Sequence, residues 1–146
     1  METQPIEILL VEDNEDDVLI LSEALEGAER ITVARAVTDG EQALEYLRGE
    51  GRFADAPLPG LILLDINMPR KNGLLALEEI KADPALRHIP VVMMTASDQE
   101  SDIVRSYASG ASSYLRKPVG LEQLVELVRG FELYWTLVST VPKPTR

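Results

Sequence analysis

Short apolar runs alternate along this chain with segments of helical periodicity, and that alternation constrains the fold more than any other feature. Ile8 to Val11 runs into Glu12-Asp13, Leu61 to Leu64 ends at Asp65, and Pro90 to Thr95 ends in a hydroxyl. A short continuous apolar run bounded by polar residues reads as a buried strand. Ile31 to Ala36 and Ser113 to Leu115 read as two further strands. Between them Val18, Leu21 and Leu25 recur at helical spacing, with Gly27 as the stop. Asp39 can cap a helix through Ala43, Leu44 and Leu47 that Gly49 ends. Leu74, Leu77 and Ile80 line a third helix, ending before Pro84. Ile103, Val104 and Tyr107 mark a fourth, ending at Gly110, and a long final helix follows Pro118. The order is βα repeated five times. Parallel strands joined by helices must be covered on both faces, so the pattern predicts an α/β, doubly wound sandwich with right-handed crossovers. A single domain over residues 1–146 is expected, with Gly51 to Gly60 as a loop and Val141 to Arg146 as a loose tail.

Charge and composition then remove several function classes. Lys and Arg number 14 against 25 Asp and Glu, a formal charge of −11. Phosphate backbones and anionic lipid select for cationic faces, so neither nucleic acid nor membrane is an expected partner. The chain has no cysteine, which excludes disulfides, thiolate nucleophiles, iron–sulfur clusters and cysteine zinc sites. The one histidine, His88, cannot build a multi-histidine metal site and reads as a solvated loop residue. Met1-Glu2-Thr3-Gln4-Pro5 lacks the basic start of a secretory signal, and no apolar run approaches the ~20 residues that span a bilayer. A cytoplasmic location is expected.

In a doubly wound sheet, ligands bind beyond the carboxyl ends of the strands. The strand ends here carry Glu12 and Asp13, Asp65 followed by Asn67, Thr95, and Lys117 before Pro118. Carboxylates gathered at one point repel unless a cation sits among them. An all-oxygen donor set suits a hard ion, with Mg²⁺ the first choice. Lys117 offers a positive charge to a phosphate oxygen and Thr95 a hydroxyl donor. Asp65, on the central strand, is then the best-placed nucleophile or phosphoacceptor. Each group also has an ordinary reading. Glu12-Asp13 can be a charge pair favoured by a helix dipole, Asp65 can cap a turn before Met68-Pro69, and Lys117 can be a solvated side chain. The specificity lies in four strand ends matching one site.

Three rivals differ in class. An aspartyl-phosphate phosphatase of the haloacid dehalogenase type needs a second Asp two residues after the nucleophile, where this chain has Asn67. A flavodoxin-like electron carrier needs a Ser/Thr/Gly-rich phosphate loop, where Asn14-Glu15-Asp16-Asp17 stands. An unphosphorylated docking module does not need every acceptor position filled by a suitable group, as they are here.

Val11-Glu12-Asp13-Asn14, then Asp65-Ile66-Asn67-Met68-Pro69 with Gly73, then Thr95-Ala96, then Lys117-Pro118, resemble the receiver domain of two-component response regulators. The match runs from about Ile6 to Gly130. The resemblance implies a flavodoxin-like sheet of order 2-1-3-4-5. It implies that a histidine kinase phosphorylates Asp65, which makes the protein a phosphorylated switch and not an enzyme, assisting only its own phosphorylation and slow dephosphorylation. It implies that Asp13 binds Mg²⁺ directly, Glu12 through water and Asn67 through its backbone carbonyl. Thr95 and Lys117 would contact the phosphoryl group, the Lys117–Pro118 bond would be cis, and Tyr114 would be the aromatic switch partner of Thr95. Glu12 stands where Asp is frequent in the family, and no output domain is expected after Arg146. The Gly51 to Gly60 loop, Asp83-Pro84-Ala85-Leu86-Arg87-His88-Ile89-Pro90 and the long last helix resemble the single-domain regulators paired with bacterial phytochrome kinases.

That last helix, from Leu121 to about Ser139, would be ~28 Å long. Leu121, Leu124, Val125, Val128, Phe131 and Trp135 form its core stripe. Leu127, Tyr134, Leu137 and Val138 widen the apolar arc to roughly 240° at ~100° per residue. An apolar arc this broad on an overhanging helix predicts a two-fold homodimer built on Leu127, Phe131, Tyr134, Leu137 and Val138; the alternative is an overhang that folds back on its own domain.

Overall fold

The solid apolar runs form the middle of a parallel sheet. β1 (Ile6–Val11), β2 (Ile31–Val37), β3 (Leu61–Asp65), β4 (Val91–Thr95) and β5 (Ser113–Arg116) pair in the order β2-β1-β3-β4-β5. The connecting helices are α1 (Glu15–Glu26), α2 (Gly40–Arg48), α3 (Gly73–Ala82) and α4 (Glu100–Ala108). This computed structural model describes residues 6–26, 31–68, 70–95, 100–117 and, within 122–130, all but 125 and 128. Residues 122–124, 126, 127, 129 and 130 are helical.

Successive strand side chains point to opposite faces, so a run must be apolar at every position when both faces are covered. Leu9, Val11, Ile62, Leu64, Val91 and Met93 pack with Leu44, Leu47, Leu74 and Leu77 under α2 and α3. Ile8, Leu10, Leu63, Val92 and Met94 pack on the other side with Leu21 and Leu25 of α1 and with Leu124. The flavodoxin-like order expected from the sequence is therefore the one found.

Helix ends follow local chemistry. Asp39 caps α2, accepting the Gln42 N–H, and Gly49 ends it with φ 67°. Asn72 caps α3 in the same way through Leu75 N–H, a signal the sequence reading passed over. Strand ends also moved: β2 runs to Val37 rather than Ala36, β4 starts at Val91 rather than Pro90, and β5 runs to Arg116 rather than Leu115. β1 begins at Ile6 rather than Ile8, because its first residues pair with Ile31 and Thr32. The Gly51 to Gly60 loop contains a 3₁₀ turn at Gly51–Phe53 that buries Phe53 edge-on to Tyr46, 5.3 Å between ring centres. His88 is exposed, as expected. Among the described residues, no helix is long and apolar enough to cross a membrane.

Of the residues expected to line a dimer, Leu127 is half-buried against the chain's own core. Phe131, Tyr134, Leu137 and Val138 lie outside the described residues, as do Gly27, Leu121, Trp135, Pro118 and the tail.

Candidate functional site

Parallel pairing brings the carboxyl ends of β1, β3, β4 and β5 to one edge of the sheet. The chain leaves β1 at Glu12, whose N–H donates to Val37 O at 2.9 Å. Glu12 is fully enclosed: Oε1 accepts the Asn14 N–H at 3.1 Å. Its Oε2 pairs with the Lys117 ammonium. Asp65, 4% exposed, ends β3. Asp13 is exposed beside them, and one carboxylate oxygen from each of Glu12, Asp13 and Asp65 lies within 4.8 Å of the others.

At an effective dielectric of about 20, charges this close repel by roughly 3–4 kcal/mol per pair. Lys117 answers part of that. Its Nζ donates to Asp65 Oδ2 at 3.3 Å and to Asp17 Oδ2 at 3.2 Å, besides pairing with Glu12. One ammonium facing three carboxylates leaves the cluster short of positive charge. Burial is the main reason that Asp65 holds its proton up to about 7; Glu12 pushes the same way and Lys117 opposes. Burial alone would lower the Lys117 pKa, but hydrogen bonding to Glu12 and the charge of Asp65 outweigh it and push it up to about 12. A cluster of three carboxylates, two of them enclosed, offers the all-oxygen donor set that a hard divalent cation takes.

The other two strand ends close the site. Thr95 is fully buried, and its Oγ1 accepts from the side-chain amide of Asn67 at 3.0 Å. Its carbonyl accepts the Lys117 N–H at 2.8 Å, so the hydroxyl and the ammonium hang from adjoining strand ends. After Asp65 the chain folds back, with Ile66 N–H donating to Met94 O and Gly73 N–H to Ile66 O. A Cβ at Gly73 would lie 2.1 Å from Asp65 O, so only glycine lets α3 start this close to Asp65. Tyr114 is half-buried against the α3 side of the core, opposite Met93 and two residues along β5 from the register of Thr95.

The structure thus brings together Glu12, Asp13, Asp65, Thr95 and Lys117, and ties Asn67 to Thr95 through its side chain. Sequence reading missed Asp17. Its advance signal was its place in the first turn of the helix that leaves the end of β1.

A family model described as the response regulator receiver domain matches residues 8–129. The chain is 38% identical over 138 residues to response regulator Rcp1 of Synechocystis, covering 94% of each. It is similar to the crystal structure of the phosphorylated cyanobacterial phytochrome response regulator RcpA, with a TM-score of 0.79 and 42% identity, over 97% of this chain and 99% of that one. The Mn²⁺-bound form of Rcp1 superposes with a TM-score of 0.78 at 38% identity, over 97% of this chain and 100% of that one. With its strand order, its acidic cluster and this match in hand, the chain belongs to the response regulator receiver domain family.

Proposed function

We propose that Asp65 accepts a phosphoryl group from the phosphohistidine of a sensor kinase. The carrying observation is the Asp65 carboxylate at the end of the central strand, hydrogen-bonded by Lys117 and gathered with Glu12 and Asp13. In the transfer, an Asp65 oxygen attacks phosphorus as the bond from phosphorus to the kinase histidine breaks. Asp13 and Asp65 would hold Mg²⁺ directly, Glu12 through water and Asn67 by its backbone carbonyl; the ion supplies charge neutralisation between acceptor and phosphoryl group. Lys117 would pair with a phosphoryl oxygen and Thr95 donate its hydroxyl to another. Thr95 would leave Asn67 to do so, and Tyr114 would follow it inward, changing the α4–β5 surface that a target reads.

The protein acts here as a stoichiometric switch in the cytoplasm and not as an enzyme with turnover. Likeness to Rcp1 and RcpA supports a phytochrome-type kinase as donor. Pairing as a homodimer completes the proposal; the apolar pattern of Phe131, Tyr134, Leu137 and Val138 in the sequence supports it.

Two experiments test it. Acetyl phosphate with Mg²⁺ should give an intact-mass phosphoryl adduct on the wild type and none on Asp65→Asn; an equal adduct on the variant contradicts the assignment. Equilibrium sedimentation should show a dimer at micromolar concentration that Trp135→Glu weakens while phosphorylation persists. A monomer there contradicts the pairing.

A further inference from the structure

Asp17 sits in the first turn of α1, the helix that follows the end of β1. Asn14 Oδ1 accepts the Asp17 backbone N–H at 3.0 Å and holds that turn in place. The carboxylate of Asp17 then reaches Lys117 at 3.2 Å, across the site from Asp65 at 3.3 Å and from Glu12. The three partners differ in surroundings. The side chains of Glu12 and Asp65 are 0% and 5% exposed, whereas that of Asp17 is 38% exposed.

The function proposed above, on which this inference rests, asks Glu12 and Asp65 to serve a divalent cation. An ammonium held between those two carboxylates competes with that cation. Lys117 cannot move deep into solvent either, because its charge is wanted later beside the phosphoryl group. A half-buried ammonium that gives up two carboxylates needs a third. We propose that Asp17 is a positioning residue that gives Lys117 its alternative seat, so that Lys117 turns toward α1 when Glu12 and Asp65 are given over to the cation. Asp17 thereby sets metal affinity through Lys117 and not by touching the metal or the reacting atoms.

The test is a double-mutant cycle read by Mg²⁺ titration calorimetry on the full chain. Asp17→Asn should weaken Mg²⁺ binding about fivefold, and the same change in a Lys117→Met background should weaken it less than about twofold. Asp17→Glu should recover most of the loss. An equal loss in both backgrounds overturns the inference, since Asp17 would then act as a screened charge alone. No loss in Asp17→Asn overturns it as well. Should Lys117→Met fail to melt cooperatively, the ¹⁵Nζ resonance of Lys117 carries the test. With saturating Mg²⁺ its protons should exchange slowly with water in the wild type and fast in Asp17→Asn; equal exchange overturns the inference. A wild type that binds no Mg²⁺ overturns the proposed function too. Mg²⁺ binding and an acetyl phosphate adduct with an uncoupled cycle overturn only the role of Asp17.

Discussion

Asp65 holds its proton up to about 7 because burial, and then Glu12, disfavour its charge more than Lys117 supports it. An acid whose folded-state pKa is raised from 3.8 to about 7 binds its proton more tightly folded than unfolded. Its contribution to stability is therefore greatest at low pH, falls as pH rises from about 4, and is fully lost above about 7. Metal-free Asp65→Asn should accordingly be more stable than wild type at pH 8, by about 2–4 kcal/mol. The difference should shrink toward pH 4 in urea denaturation, and Mg²⁺ should stabilise the wild type more than the variant. Gly73 makes a separate demand at this scale. A methyl group there meets Asp65 O at 2.1 Å, a backbone atom that cannot rotate away. Gly73→Ala should cost about 2–3 kcal/mol and displace the Asp65 turn, seen as a lower urea midpoint.

At the scale of elements, the turn after β3 is tied to the start of α2. Gly40 N–H donates to Lys71 O at 3.0 Å, and Arg70 pairs with Asp39 at 3.5 Å and with Glu41 at 3.0 Å. Arg70 takes φ 65°, a left-handed conformation that costs a side-chain-bearing residue about 1–2 kcal/mol. Its ion pairs are exposed on the arginine side and worth little by comparison. Arg70→Gly should thus be about 1 kcal/mol more stable than Arg70→Ala in thermal melts, since both lose the pairs and only glycine sheds the strain. Most elements were legible in the sequence because a fully buried parallel strand has no polar position, as Leu61 to Leu64 and Val91 to Met94 illustrate. Asp39 and Gly49 were legible as caps because their chemistry is local. The 3₁₀ turn at Gly51–Phe53 was not, since one buried aromatic in a loop has no period.

At the scale of the whole molecule, the site residues come from four strand ends and one helix start, and this governs what a sequence can show. Each strand end announced its own polar residue, so Glu12, Asp13, Asp65, Thr95 and Lys117 could be gathered once a parallel sheet was inferred. The pairing of Lys117 with Asp17, 100 residues apart, and of Asn67 with Thr95, 28 apart, leaves no periodic trace. Both depend on side-chain reach across the sheet edge. The excess of negative charge gains a partial account here, for three carboxylates face one ammonium where a divalent cation would balance them. The central claim is that Asp65, and none of its acidic neighbours, takes the phosphoryl group. Borohydride reduction after treatment with acetyl phosphate and Mg²⁺, followed by peptide sequencing by mass spectrometry, tests it most directly. Homoserine at position 65 alone, lost when Mg²⁺ is chelated, is the predicted result; homoserine at Glu12's neighbour Asp13 or at Asp17 instead, or at no position, would contradict it.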